Sequence, residues 1–283
     1  ISTKVNKEIS VDLSKFFEDA DGDTLAYSVK IEKLNIDKAV EGNVFAGTIS
    51  EAGEYTVVVT ASDGEAEATH TVTLTVKENT APNIKADFSE SKSKTYVYSS
   101  SYVYIYMEDI FEDADGDTLT YSATLNGEKV EITYNDWTKE HYIMFNQKPV
   151  ICEYKITAND GVADSEVFTA KCIGTSATIT PAEDVSLPKG GSNLYYICGS
   201  EDDDTFKMEY KLDVDTDIVP SWMVSNKNII THNGDGEFTV TKPASRQSMY
   251  FGVTYGKDDW GSDVYLGTQY IYIIPELPEF GDV

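Results

Sequence analysis

Residues 16–25, "FFEDADGDTL", return at 110–119 as "IFEDADGDTL", and a worn copy, "SEDDDTF", stands at 200–206. This duplication constrains the fold more than any bulk property. Asp23 and Asp117 close the two good copies 94 residues apart, and Asp204 follows 87 residues later. A period of about 90 residues suits a β-sandwich domain and is far too long for a solenoid repeat. The 283-residue chain therefore reads as three copies of one unit.

Within each copy the apolar residues alternate. Leu25, Tyr27 and Val29 share a face, as do Leu119, Tyr121 and Ala123, and then Phe206, Met208 and Tyr210. Period two in β-branched and aromatic residues predicts half-buried strands. "GEYTVVVTASDGEAEATHTVTLTV" (53–76) predicts two strands joined at Asp63-Gly64, with Tyr55, Val57, Val59 and Ala61 facing one way. "CEYKITANDGVADSEVFTAKC" repeats the pattern with its turn at Asp160-Gly161. Helical periodicity is nowhere longer than a turn or two. The expected fold is all-β: three tandem immunoglobulin/cadherin-like β-sandwich domains in a semi-rigid rod, spanning 1–79, 80–176 and 177–283. Linkers are expected near "KENTAPN" (77–83), where Pro82 excludes a central strand, and near "GTSATITPAED" (174–184).

"DLSKFFEDADGDTLAYSV" followed by "FAGTISEAGEYTVVVTASDG" resembles the dystroglycan-type cadherin-like repeat and its relatives among bacterial surface immunoglobulin-like domains. The third copy is similar elsewhere, in "VPSWMV" (219–224) and "GEFTVTKPA" (236–244). The copies also depart from the pattern. The second has Val150-Ile151-Cys152 where the first has Gly53-Glu54-Tyr55, and the third lacks the central glycine of its acidic turn. The resemblance implies secreted or surface-anchored bacterial modules working in adhesion, some of them calcium-dependent. Their partner would be a protein or glycan on a host or neighbouring cell.

The acidic turn has two readings. Calcium needs six to eight oxygens, and Asp19, Asp21 and Asp23 around Gly22, with Glu18 nearby, offer several. An EF-hand is excluded, because Gly22 stands fourth from Asp19 and Lys30 stands twelfth. In the other reading Asp and Gly simply build a tight connection. If a cation is bound, related cadherin repeats hold it between domains. In an immunoglobulin-like order the acidic turn is expected at the end where the next repeat begins, with the Asp-Gly turn at the opposite end. Asp19, Asp21 and Asp23 should then meet Asp160, while Asp113, Asp115 and Asp117 should meet Asp258 or Asp259.

Four further features bear on function. Cys152 and Cys172 flank the Asp160 turn symmetrically, which suits either a cross-strand disulfide or two buried thiols. Tyr102, Tyr104 and Tyr106 alternate with Val103, Ile105 and Met107. That leaves a tyrosine stripe for a sugar or protein, or one chosen for β-propensity alone. Trp137 and Trp260 lie in loop-like sequence and are candidates for exposed ligand contacts, whereas Trp222 is expected in the core. The formal net charge of −27 argues against nucleic acid and anionic lipid.

For catalysis the sequence offers little. His70, His141 and His232 are scattered without metal-ligand spacing, and no nucleophile or phosphate-loop motif is present. Without about 18 consecutive apolar residues, no membrane insertion is expected in this segment. The expected function is non-catalytic adhesion or spacing outside the cell. The alternative is a carbohydrate-binding accessory region of a larger secreted enzyme.

Overall fold

A computed structural model describes residues 1–99, 102–183, 187, 189–198, 203–257 and 261–275. Strands make up 58 % of the chain and helix 5 %, so the fold is all-β, as the alternation requires. Contacts divide it into two compact units. The first joins Ile1–Asp87 to Asp109–Ser122 and Thr157–Val167, and the second holds Phe88–Glu108, Ala123–Ile156 and Phe168–Val283.

In the first unit, strands β1 (Ser2–Lys4), β2 (Ile9–Asp12), β3 (Ala26–Ile31), β4 (Ile36–Val40), β5 (Val44–Gly47), β6 (Gly53–Ser62) and β7 (Glu67–Lys77) build a sandwich. One sheet runs β1-β7-β6-β3-β4, and the pair β2-β5 covers it. The predicted inward faces are the buried ones: Tyr27, Val29 and Ile31 meet Tyr55, Val57, Val59, Ala61, Leu74 and Val76. Tyr55, 1 % exposed, satisfies its phenol by donating to the Glu51 carbonyl at 2.7 Å. Beyond the linker, β8 (Asn83–Ile84) pairs with Phe111–Glu112, the start of the second acidic turn. The ends of the second sequence copy, at Asp113–Asp117 and Asp160, therefore pack with the first copy.

The register places the turns. Ala26 lies opposite Ser62, so the loop carrying Asp19, Asp21 and Asp23 shares an end with the Asp63-Gly64 hairpin. Lys4 lies beside Lys77, where the chain leaves for the linker, at the opposite end of the same sheet. This corrects the expectation that the acidic turn and the Asp-Gly turn lie at opposite ends. Both open onto β3 and β6, which are hydrogen-bonded neighbours, so they have to emerge together.

In the second unit the parallel pairing of a first strand with a last one recurs. Ser93–Tyr98 runs beside Phe168–Gly174, and Asn193–Ile197 beside Asp263–Ile274, as β1 runs beside β7. A core of Phe206, Met208, Phe238, Val240, Phe251 and Ile271 fills the third copy. The stretch expected to be a second linker is structured: Ala177–Pro181 forms a strand against Met208–Leu212, and Thr175 is fully buried, donating to Asp213 at 2.8 Å.

Candidate functional site

The second acidic turn is the best-formed polar cluster. Asp113 Oδ1 accepts the N–H groups of Asp115 and Asp117 at 3.0 and 2.9 Å, wrapping the backbone around Gly116, whose φ of +77° is the left-handed region that glycine adopts freely. This folding draws the carboxylates together. One oxygen each from Asp113, Asp115 and Asp117 lies within 4.8 Å of the others, and no other such metal-ligand group is found among the described residues.

The first sequence copy and the linker close over this turn. The Thr80 N–H donates to Asp115 Oδ2 at 2.7 Å, and the Lys4 ammonium, 14 % exposed, contacts Asp115 at 3.0 Å and bonds Asp117. Lys7 lies 3.5 Å from Asp117. Alongside, Asp160 is 3 % exposed and accepts from the Val162 and Ala163 N–H groups at 2.7 Å and from Asn79 Nδ2 at 2.8 Å.

The titration behaviour follows. The Thr80 N–H, then Lys4, hold the Asp115 carboxyl below its ordinary pKa. Burial alone would raise Asp160, but bonds from Ala163, Asn79 and Val162 outweigh it and lower its pKa. Burial alone would likewise lower Lys4, but its bonds to Asp117 and Asp115 raise it. Two oxygens in this cluster are buried without any hydrogen-bond partner, Asp113 Oδ2 and Asn79 Oδ1. A buried orphan acceptor costs about 1–3 kcal/mol.

The expected meeting of Asp19, Asp21 and Asp23 with Asp160 does not occur. Asp160 joins its own copy's acidic turn, because both sit at one end of the sandwich and share Lys4 and the linker. The Asp19 loop stands at the far end of the first sheet, with Glu18 beside it. Asp258, Asp259 and Trp260 lie outside the described residues. Sequence reasoning missed Lys4, Lys7, Asn79 and Thr80. The signal available was the position of Asn79-Thr80 inside the linker.

The tyrosine stripe lies on a small sheet of Val103–Tyr106, Glu140–Phe145 and Thr133–Asn135. Ile105, Ile143 and Phe145 face the core, leaving Tyr104, Tyr106, Tyr142 and Met144 on the other face. Tyr104 stacks on Tyr106 at 6.0 Å and meets Tyr142 edge-on at 5.4 Å. Tyr102 is 52 % exposed, and Trp137, on the hairpin tip, is 95 % exposed with its backbone N–H held by Asn135 Oδ1 at 2.9 Å. Cys152 and Cys172 sit directly opposite one another on neighbouring strands, both as free thiols. Burial pushes both thiol pKa values up, that of Cys172 far above the ordinary range.

Residues 1–77 match the He_PIG family of Ig domains. The first sequence copy is thus similar to an Ig-type domain. No curated protein sequence matches the chain. Among solved structures, the chain is similar to the three N-terminal domains of the Highly Immunogenic Outer Capsid protein (Hoc) of bacteriophage RB49. Identity there is 12 % over 93 % of this chain and 92 % of that one, with a TM-score of 0.47. It is also similar to the fibronectin(III)-like modules of Clostridium thermocellum CbhA, at 13 % identity over 61 % and 88 %, TM-score 0.35. The Bacteroides ovatus mixed-linkage glucan utilization protein SGBP-B, solved with a heptasaccharide, is 13 % identical over 96 % of this chain and 65 % of its own, TM-score 0.21. At TM-scores below 0.5 these likenesses carry nothing about function. No helix among the described residues is long and apolar enough to cross a membrane.

Proposed function

We propose that this chain is a non-catalytic extracellular spacer or adhesion segment of three sandwich repeats, stiffened by calcium where the first repeat meets the second. The carrying observation is the pair of buried, unpartnered oxygens on Asp113 and Asn79 within a carboxylate cluster. Asp113, Asp115, Asp117 and Asp160 bring four negative charges against the two of Lys4 and Lys7, so the cluster lacks two positive charges. A divalent cation supplies that balance and gives the orphan oxygens a partner. Asp113, Asp115, Asp117 and Asn79 would hold it, with Asp160 fixing the Asn79 amide from behind. The ion would cross-link linker and turn, and Lys4, from β1, already ties the first copy to that turn as a built-in cation.

Thermal unfolding with EDTA and then with excess calcium tests this reading. A ligand at a hundredfold excess over its dissociation constant adds about 2.7 kcal/mol to the folded state. A midpoint that rises by several degrees with calcium is expected. An unchanged midpoint leaves a junction latched by Lys4 alone and removes the metal.

The face offered to a protein or glycan partner is, in this proposal, the sheet of Tyr102, Tyr104 and Tyr106 with Trp137 at its tip. Tyr102 and Met144 are exposed on that face, and the exposed Trp137 stands at its hairpin tip. Exposed apolar clusters on this scale mark contact surfaces. A glycan array screened with the wild type and with Tyr104→Ala tests it. Loss of a positive signal in the variant is expected, and a blank array removes the sugar.

A further inference from the structure

We infer that a cleft in the third sequence copy, beside Trp222, binds an organic cation, with a substituted ammonium group as the recognised part. The cleft arises from a change of partner along one strand. Asp203–Leu212 pairs with Glu237–Thr241 through Lys207, and with Ala177–Pro181 from Met208 onward. At the switch the Met208 N–H bonds the Gly236 carbonyl at 2.9 Å. That approach requires glycine: φ is +75°, and a Cβ at Gly236 would stand 2.2 Å from the Met208 carbonyl oxygen. The mouth left open holds about 600 Å³, lined among others by Lys207, Glu209, Tyr210, Trp222, His232 and Asp235. A second hollow of about 290 Å³ continues past Trp222 and His232. The larger volume falls within the range of small-ligand sites, about 300–1,000 Å³.

The lining sets the ligand class. Tyr210 and Trp222 meet at 68° with ring centroids 5.5 Å apart, forming an aromatic corner. Trp222 is braced from behind by Phe238 at 5.3 Å and 86°, and Phe238 packs on Phe251 at 4.7 Å. The corner therefore cannot easily collapse into the cleft. A cation within about 6 Å of a ring centroid is attracted by the ring quadrupole, more strongly when desolvated. In the larger mouth Glu209 and Asp235 stand with Lys207, and Lys227 borders the second hollow, on a chain of net charge −27. The surplus carboxylate of the larger mouth and the aromatic corner together favour a monocation there. A metal ion is a poor fit, since Glu209 and Asp235 belong to no converging ligand group among the described residues. A methylated ammonium, apolar at its surface and charged at its centre, matches rings and carboxylates together.

The sequence holds three tryptophans, so Trp137→Phe with Trp260→Phe leaves Trp222 as the sole indole reporter. Its fluorescence is titrated with choline chloride, sodium chloride at equal ionic strength, 3,3-dimethylbutanol as the uncharged isostere, and a neutral cello-oligosaccharide. The expected result is a saturable change with choline and at least tenfold weaker binding of the uncharged isostere. Glu209→Gln with Asp235→Asn should weaken choline binding at least tenfold while leaving the unfolding midpoint unchanged. Equal binding of choline and dimethylbutanol overturns the proposal in favour of an apolar pocket. A response to the oligosaccharide but not to choline makes the cleft a sugar site, and no saturable response to choline ends it.

Discussion

Replacing Asp160 with alanine removes one side chain and three hydrogen bonds from the junction. Its two oxygens accept from the Val162 and Ala163 N–H groups at 2.7 Å and from Asn79 at 2.8 Å. Bonds to a charged acceptor contribute about 1.5–3 kcal/mol when buried, and about 1 kcal/mol where water can replace the lost partner. Val162 and Ala163 are half-buried and take the lower figure, whereas the Asn79 amide, whose own oxygen is already an orphan, takes the higher. The total is about 3.5–5 kcal/mol, or a midpoint lowered by about 15–20 °C for a unit of roughly a hundred residues.

Asp160→Asn keeps an oxygen for both backbone donors and should cost only about 1 kcal/mol. The assay is calorimetric unfolding of wild type and both variants at neutral pH, then down a pH series. Hydrogen bonds hold the folded Asp160 pKa below the unfolded value of about 3.9. Its contribution is therefore fully present above about pH 4 and is lost as pH falls through the folded pKa. The gap between wild type and Asp160→Asn should close over that acidic range. Equal costs for the alanine and asparagine variants, or a gap independent of pH, would refute the reasoning.

Two other changes probe neighbouring contacts. Lys4→Gln removes the ammonium bonded to Asp115 and Asp117 and should lower the midpoint by several degrees at neutral pH. Because the folded Lys4 pKa is raised, its contribution is complete below about pH 10 and fades as pH climbs through the folded value, so the deficit should shrink in strong alkali. The same variant should bind calcium more tightly, as read by calorimetric titration, because a competing cation has gone. Cys152 and Cys172 are directly opposed, and opposed strand residues lie about 4.5–5.5 Å apart at Cα, inside the range a disulfide spans. Prolonged mild oxidation should therefore cross-link the two, slowly because burial disfavours the thiolate. Peptide mapping that finds Cys198 in the bridge, or three titratable thiols afterwards, contradicts that pairing.

Much of the fold could be read from alternation. Tyr27, Val29, Tyr55, Val57, Val59 and Ala61 are buried in the pattern their spacing implies, because a residue two positions along a strand must return to the same face. The direction of the turns could not be read. Periodicity says which face a residue occupies and nothing about which strand lies beside it, and it was the pairing of β3 with β6 that put the acidic and Asp-Gly turns together. Lys4, Asn79 and Thr80 escaped for the same reason: their partners, Asp115 for Lys4 and Thr80 and Asp160 for Asn79, stand more than thirty positions further along the chain, and no local pattern links them. Trp222 was expected in the core and is half-buried, because the partner switch at Met208 exposes one side of it.

The two good copies of the acidic turn offer a matched comparison. Asp19 Oδ1 accepts from Asp21 and Asp23 at 3.0 and 2.8 Å, and Asp113 Oδ1 accepts from Asp115 and Asp117 at 3.0 and 2.9 Å. Gly22 and Gly116 have φ values of +83° and +77°. Alanine at either aspartate deletes the same two loop bonds. The surroundings differ: Asp113 Oδ2 is buried and unpartnered, and the nearby lysines pair with Asp115 and Asp117. Deleting an orphan acceptor returns part of its desolvation cost, about 1–3 kcal/mol. In EDTA, then, Asp113→Ala should destabilise less than Asp19→Ala. In saturating calcium the order should invert, because the oxygen that was a liability becomes a ligand and its loss forfeits the binding energy. Unfolding midpoints of the two variants in both buffers read the result directly. An order that is the same with and without calcium means that Asp113 Oδ2 does not serve the ion, and that the junction rests on Lys4 and the linker hydrogen bonds alone.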